Sequence, residues 1–309
     1  MLKNSDTEET DKETDKEETD NDGSQNLNVG YSFAPDGYAL CDSWWDVTEA
    51  AKNGNKRIRL AADITQTSCF WYGGGDTYTF DGAGHTIYVR FSSHGDPAIN
   101  GSFIVRGGNL YIRNTIFDFG NSYDAPCGIV LDAHTQNSYC KAQNITMRNA
   151  KATFNGSAKQ SAFQTDQGTL DAYDCTINSC PMGFNNDNFL NRGSKINCYR
   201  CKVNNATYGV TNGEGNSALV ENVSINGGTV GIYTGGNIKI NKTEVQNCTT
   251  GVRYLKGPNN GSTVIENDSK IHNNQTGVLV EGTAPVTVTN SNIYSNIYCL
   301  NTYSMFLCF

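Results

Sequence analysis

Five stretches decide the fold: INSCPMGF (177–184), VNNATYGV (203–210), INGGTVGI (225–232), VQNCTTGV (245–252) and IHNNQTGV (271–278). Each opens on an aliphatic anchor: Ile177, Val203, Ile225, Val245 or Ile271. Each places a glycine six residues later and follows it with a large apolar residue. Small turn residues, mostly Asn, fill the gap. The gap is constant, whereas the interval between anchors runs 26, 22, 20 and 26 residues. Constant core spacing with variable insertions is expected of stacked coils that carry loops at some corners.

The register extends outward from these units. Ile293 continues it, Met147 fits upstream, and Phe117 fits less cleanly. Two residues before the anchors stand Cys175, Cys201, Val223, Thr243, Ser269 and Ser291, which read as inward-facing. Five and seven residues before them come apolar pairs such as Ala218/Val220, Ile238/Ile240 and Val286/Val288. Each unit therefore reads as about three short strands with period-two alternation. One unit cannot bury a core alone; a stack of them can. An antiparallel sandwich would instead show hairpin turns of two to five residues between strands of similar length.

The five units, together with IRLAADIT and FDGAGHTIYV in the entry segment 58–89, resemble the pectate-lyase-like superfamily of right-handed parallel β-helices. The resemblance covers residues 57–296. It implies an all-β, single-stranded right-handed parallel β-helix of about ten coils, about 50 Å long at roughly 4.8 Å per coil. It does not fix a function, because lyases, hydrolases, epimerases, tailspikes and adhesins share that fold.

Outside the repeat the chain divides simply. Residues 1–22 carry ten acids and three lysines, a net of -7 out of -8 for all 309 residues. Residues 1–28 read as a disordered acidic spacer, too polar to offset the entropy of ordering. Residues 29–56 read as an N-terminal cap with a short helix in SWWDVTEAAKNG (43–54), capped by Ser43 or Asp46 and stopped at Asn53-Gly54. Residues 297–309 lose the repeat and read as a C-terminal cap or a truncated end. The near-neutral remainder argues against a nucleic-acid footprint, and no apolar run is long enough to span a bilayer.

Candidate chemistry follows from alternation. The residue after each glycine points inward, so the first and third residues beyond it point out. On successive coils these are Val130 and Asp132, Gln164 and Asp166, Asn185 and Asp187, Thr211 and Gly213, Tyr233 and Gly235, and Arg253 and Leu255. Asp132, Asp166 and Asp187 thus form a row on an exposed face, with Glu214 beside it. Carboxylates about 5 Å or 10 Å apart suit the acid and base, or acid and nucleophile, of glycoside hydrolysis. The same three aspartates, with Asn185 or Asn186, are oxygen donors of the kind calcium takes. Arg192 and Lys195 follow as a carboxylate clamp or a base. Tyr233 and Arg253 are a sugar platform and clamp, and Gln164 and Asn185 complete the substrate-binding set. Asp and Asn also serve as ordinary turn residues, which leaves a purely structural role open.

Two local resemblances refine this. QTDQG (164–168) and NND (185–187) are similar to the Asn-Thr-Asp and Asp-Asp elements of inverting polygalacturonases, although TNGEGN stands where Gly-His-Gly would follow. LDAH (131–134) is similar to the Asp-Pro-His element of mannuronan epimerases and related alginate lyases, which implies that Asp132 and His134 act together, His134 in proton transfer.

Eleven cysteines are unevenly spread. Cys175 and Cys201 fall at the same inward position of adjacent coils, and Cys198 at another. Core packing, a Cys175–Cys201 disulfide and a zinc site are three readings of that cluster. The leading functional expectation is an extracellular or surface protein that cleaves or modifies a uronate-containing polysaccharide through the carboxylate row. The other is a non-catalytic adhesin or structural module.

Overall fold

The computed structural model describes residues 30–91, 101–121, 126–132, 138–151, 160–186, 193–255, 261–282 and 285–302. The acidic spacer at 1–28 and residues 303–309 lie outside the described residues. The described chain is an all-β parallel solenoid with one helix, Trp44–Lys52.

Three columns of strands build it. The first runs from Ala39–Cys41 through Thr169–Tyr173 and Lys195–Tyr199 to Val286–Thr289. The second carries the anchors, which stack in the order Phe117, Met147, Ile177, Val203, Ile225, Val245, Ile271 and Ile293. The third carries the residues that follow the glycines, Phe184, Val210, Ile232, Val252 and Val278, in register with Phe163, which follows Ala162. Every pairing among the described residues is parallel except Ser32–Phe33 with Ala39–Cys41. About eight turns have all three strands paired on both sides, with a terminal turn at each end that pairs on one side only. The expected count of about ten coils is therefore slightly too high.

The core is the column interior. The anchors, the residues after the glycines and the first-column pairs such as Ala218/Val220 form one buried cluster. Phe163 and Phe184 stack with centroids 5.0 Å apart. At the lower end, Ser43 caps the helix by accepting the Asp46 N–H, and Val47 and Ala50 face the core. Asn53 and Gly54, the latter at φ +80°, end it.

The corners explain why the repeat is rich in Asn and Gly. Between the first and second columns the chain turns through one left-handed residue: Asn114, Asn144, Asp174, Arg200, Asn222, Lys242 or Asn290, at φ 47–55°. Asn and Asp visit that region at least cost. At the entry to the third column the constraint is steric. A Cβ on Gly209 would lie 2.5 Å from the Gly231 carbonyl oxygen and 2.9 Å from Ile225 Cγ2. Gly183, Gly231 and Gly251 meet the next coil in the same way. Successive coils therefore touch backbone to backbone along this edge.

At the upper end the third column continues through Tyr298–Thr302, with Leu300 opposite Val278. The repeat thus runs past residue 296, where sequence reading stopped it. The pairing is made by the backbone and needs no anchor-to-glycine signature.

Candidate functional site

The third column places the sequence-derived residues in one ladder. Trp71, Ile104, Val130, Gln164, Asn185, Thr211, Tyr233, Arg253 and Leu279 are in register on successive turns. They alternate with the core residues and so face away from them. Asp132 and Asp166 follow one coil apart: the Asp132 N–H bonds the Val105 carbonyl and the Asp166 N–H bonds the Leu131 carbonyl. His134, Asp187 and Arg192 lie outside the described residues. Lys195 starts a first-column strand and is exposed.

The expectation of an open carboxylate face is corrected. Asp132 is 0% exposed and Asp166 is 7% exposed, while Gln164 and Asn185 are also buried. Both carboxylates already have partners. Arg106, one turn before Asp132, donates its Nε–H to Asp132 Oδ2. Gln164 Nε2 donates to both oxygens of Asp166, at 3.0 and 3.1 Å. Burying a carboxylate is tolerable only with such partners. A calcium ion would have to displace these donors from the two carboxylates.

Around them lies a polar layer that sequence reading did not assemble. The Cys127 thiol donates to Gln164 Oε1 at 3.4 Å and accepts the Ser161 N–H at 3.4 Å. Burial pushes that thiol up to about 12, so it is not a nucleophile at neutral pH. Thr211 donates its hydroxyl to Asn185 Oδ1 at 2.5 Å. Cys127 and Ser161 open their strands just before the glycine position, where the repeat template carried no expectation.

Each end of the layer has an aromatic ring, a guanidinium and a carboxylate. At the lower end, Trp71 is 43% exposed and the Arg106 guanidinium lies 4.5 Å from its ring centroid, held on its other side by Asp132. At the upper end, the Arg253 guanidinium lies 5.9 Å from the Tyr233 ring and donates to Glu281 Oε2 at 2.7 Å. Tyr208 meets Tyr233 edge to face at 6.0 Å. Six ladder steps separate Trp71 from Tyr233, about 29 Å at roughly 4.8 Å each. Trp71, Arg106 and Glu281 were missed in sequence; only the exact strand register brings them to this face. Glu214 lies in the turn after Tyr208–Asn212, half-buried and near Tyr254. The Tyr254 hydroxyl is pushed up by burial and then by the charge of Glu214. Tyr254 itself points into the core.

Elsewhere, none of the nine described cysteines is in a disulfide, and eight of them are buried. Cys175, Cys198 and Cys201 belong to the core cluster. Among the described residues no three His, Cys, Asp or Glu side chains converge as a metal site would need, and no helix is long and apolar enough to cross a membrane. The chain matches no protein-family model, no curated protein and no solved structure.

Proposed function

We propose that this solenoid binds polysaccharide along the outer face of its third column. The observation that carries the reading is the pair of aromatic, guanidinium and carboxylate groups on that face, Trp71–Arg106–Asp132 and Tyr233–Arg253–Glu281. Aromatic rings offer apolar faces to sugar C–H groups. The adjoining guanidinium supplies directional donors to hydroxyls or uronate carboxylates. The repeat plan supports grouping the chain with the pectate-lyase-like β-helices, and with them a place outside the cell or on a surface.

A second reading, cleavage or modification of a uronate-containing glycan, is favoured by one observation. Polar side chains, Gln164, Asp166, Asn185 and Thr211, are buried together on an outer strand face, where apolar packing would be cheaper. In that reading Asp132 and Asp166 are the reacting carboxylates, with Asp187, Glu214 and His134 as further candidates and calcium as the cation.

The test is a screen of the purified protein on pectate, alginate and neutral glycans, with and without calcium. Retention on the polymer, new reducing ends and ultraviolet absorbance of unsaturated uronates are followed together. Retention without product, lost in Trp71→Ala and Tyr233→Ala, supports binding. Product formation abolished by Asp166→Asn replaces it with the second reading. Neither retention nor product on any polymer overturns both.

A further inference from the structure

We propose that Cys175 and Cys201 are an oxidation site, in which a peroxide converts the two stacked thiols into a disulfide that ties one coil to the next. The residues stand directly before Thr176 and Lys202, which are in register, and the Lys202 N–H bonds the Cys175 carbonyl at 2.8 Å. Neighbouring parallel strands lie roughly 4.8 Å apart, inside the Cα separation of about 4.4–6.8 Å that a disulfide spans. The side chains point the same way, into the column, and the Cys175 thiol hydrogen-bonds Cys201 Sγ. The bond can therefore form without moving the backbone.

The two sulfurs are not equivalent. Cys201 is among the residues lining a cleft of about 430 Å³ and Cys175 is not; Arg200, Lys202, Lys242 and Lys270 line it together with Glu244 and Asp268. The hydrogen bond from Cys175 holds the Cys201 thiol below its ordinary value, whereas burial drives Cys175 well above it. Cys201 is thus the attacking sulfur and Cys175 the resolving one. In the first step the Cys201 thiolate attacks one peroxide oxygen, the O–O bond breaks, hydroxide leaves, and Cys201 becomes a sulfenic acid. In the second, Cys175 sulfur attacks Cys201 sulfur and expels the hydroxyl, which leaves as water with the Cys175 proton. Overall, two thiols and one hydrogen peroxide give one disulfide and two waters.

The experiment uses the full chain. It is treated with hydrogen peroxide, unreacted thiols are alkylated under denaturing conditions, and peptides are mapped without reductant. The expected result is a linked pair of peptides containing Cys175 and Cys201, reversed by dithiothreitol, with an upward shift of the unfolding midpoint. Cys175→Ser is expected to accumulate Cys201 sulfenic acid that dimedone traps, a product that mere packing would not give. Linkage of Cys201 to Cys198, or full alkylation of both thiols after peroxide treatment, overturns the proposal. The wild-type map decides the matter even if a variant fails to fold.

Discussion

Arg106 is the sole cation paired with Asp132 among the described residues, and it reaches that carboxylate from the preceding turn while its guanidinium rests on Trp71. A surface ring, a half-exposed cation and a fully buried anion are thereby linked across three turns. Whatever engages Trp71 also bears on the group that keeps Asp132 tolerable in the interior.

Arg106→Ala is expected to remove the Arg106 guanidinium from the buried Asp132 carboxylate. The loss should be about 3 kcal/mol, the scale for breaking a buried pair from one side. Urea unfolding of the single variant measures it, and adding Asp132→Asn should recover part of the loss. Equal stability of wild type and Arg106→Ala would mean that Asp132 does not depend on this pair.

Asn212 tests the polar line inside the column. Its Oδ1 accepts from Asn186 Nδ2 at 2.9 Å, and its own Nδ2 donates to the Asn237 carbonyl at 3.0 Å. Asn212→Ala removes both bonds and a third from its Nδ2 to Thr234 Oγ1 at 3.3 Å, while Asn186 keeps its bond to the Ser217 carbonyl. A loss of about 2 kcal/mol is expected, since each net hydrogen bond is worth roughly 0.5–1.5 kcal/mol. Asn109→Ala, whose side chain bonds Thr77 at the exposed surface, should change stability by less than about 1 kcal/mol.

Gly209→Val is expected to cost more than about 3 kcal/mol or to prevent folding, because the new side chain meets a backbone oxygen rather than a yielding side chain. Expression as soluble, cooperatively unfolding protein at wild-type stability would show that the coils can separate at this edge.

Acid should weaken the solenoid through Asp81 and Asp118. For Asp81, burial alone would raise the carboxyl, but the Ala83 N–H, Asn114 and Arg113 outweigh it and hold it low. For Asp118, burial is likewise outweighed by the Gly120 N–H, Arg148 and Asn149. A group depressed in the folded state stabilises above its unfolded value, about 3.9 for Asp. That stabilisation drains away as pH falls through the lower folded value. Unfolding free energy should therefore drop between about pH 5 and pH 2, and Arg148→Gln should flatten the drop. A pH-independent stability across that range would contradict the assignment.

The fold was legible because its two hardest constraints write directly into sequence. Inward stacking demands an apolar residue at each anchor, and backbone contact at the coil edge demands glycine six residues later. The alignment that put Gln164 beside Asn185 holds, with Phe163 opposite Phe184. The site was less legible. Alternation correctly turned Gln164 and Asp166 away from the core, yet it equates outward with exposed, and both are buried. Nor does alternation say which side chains meet across turns. Arg106 and Asp132 are 26 residues apart, and Arg253 and Glu281 are 28 apart. Such contacts depend on loop lengths that carry no periodic signal. The cysteines were easier, because stacking at an inward position follows from register alone.

The glycine edge also makes length a free parameter of this architecture. A turn touches only the turns beside it, and the turns that carry Gly183, Gly209, Gly231 and Gly251 present the same narrow backbone to their neighbours. Whole coils can therefore be gained or lost by duplication or deletion without redesigning an interface, whereas a partial coil would put a side chain where only a hydrogen atom fits. The molecule behaves as a ruler whose divisions are fixed by sterics and whose total extent is open to evolutionary choice.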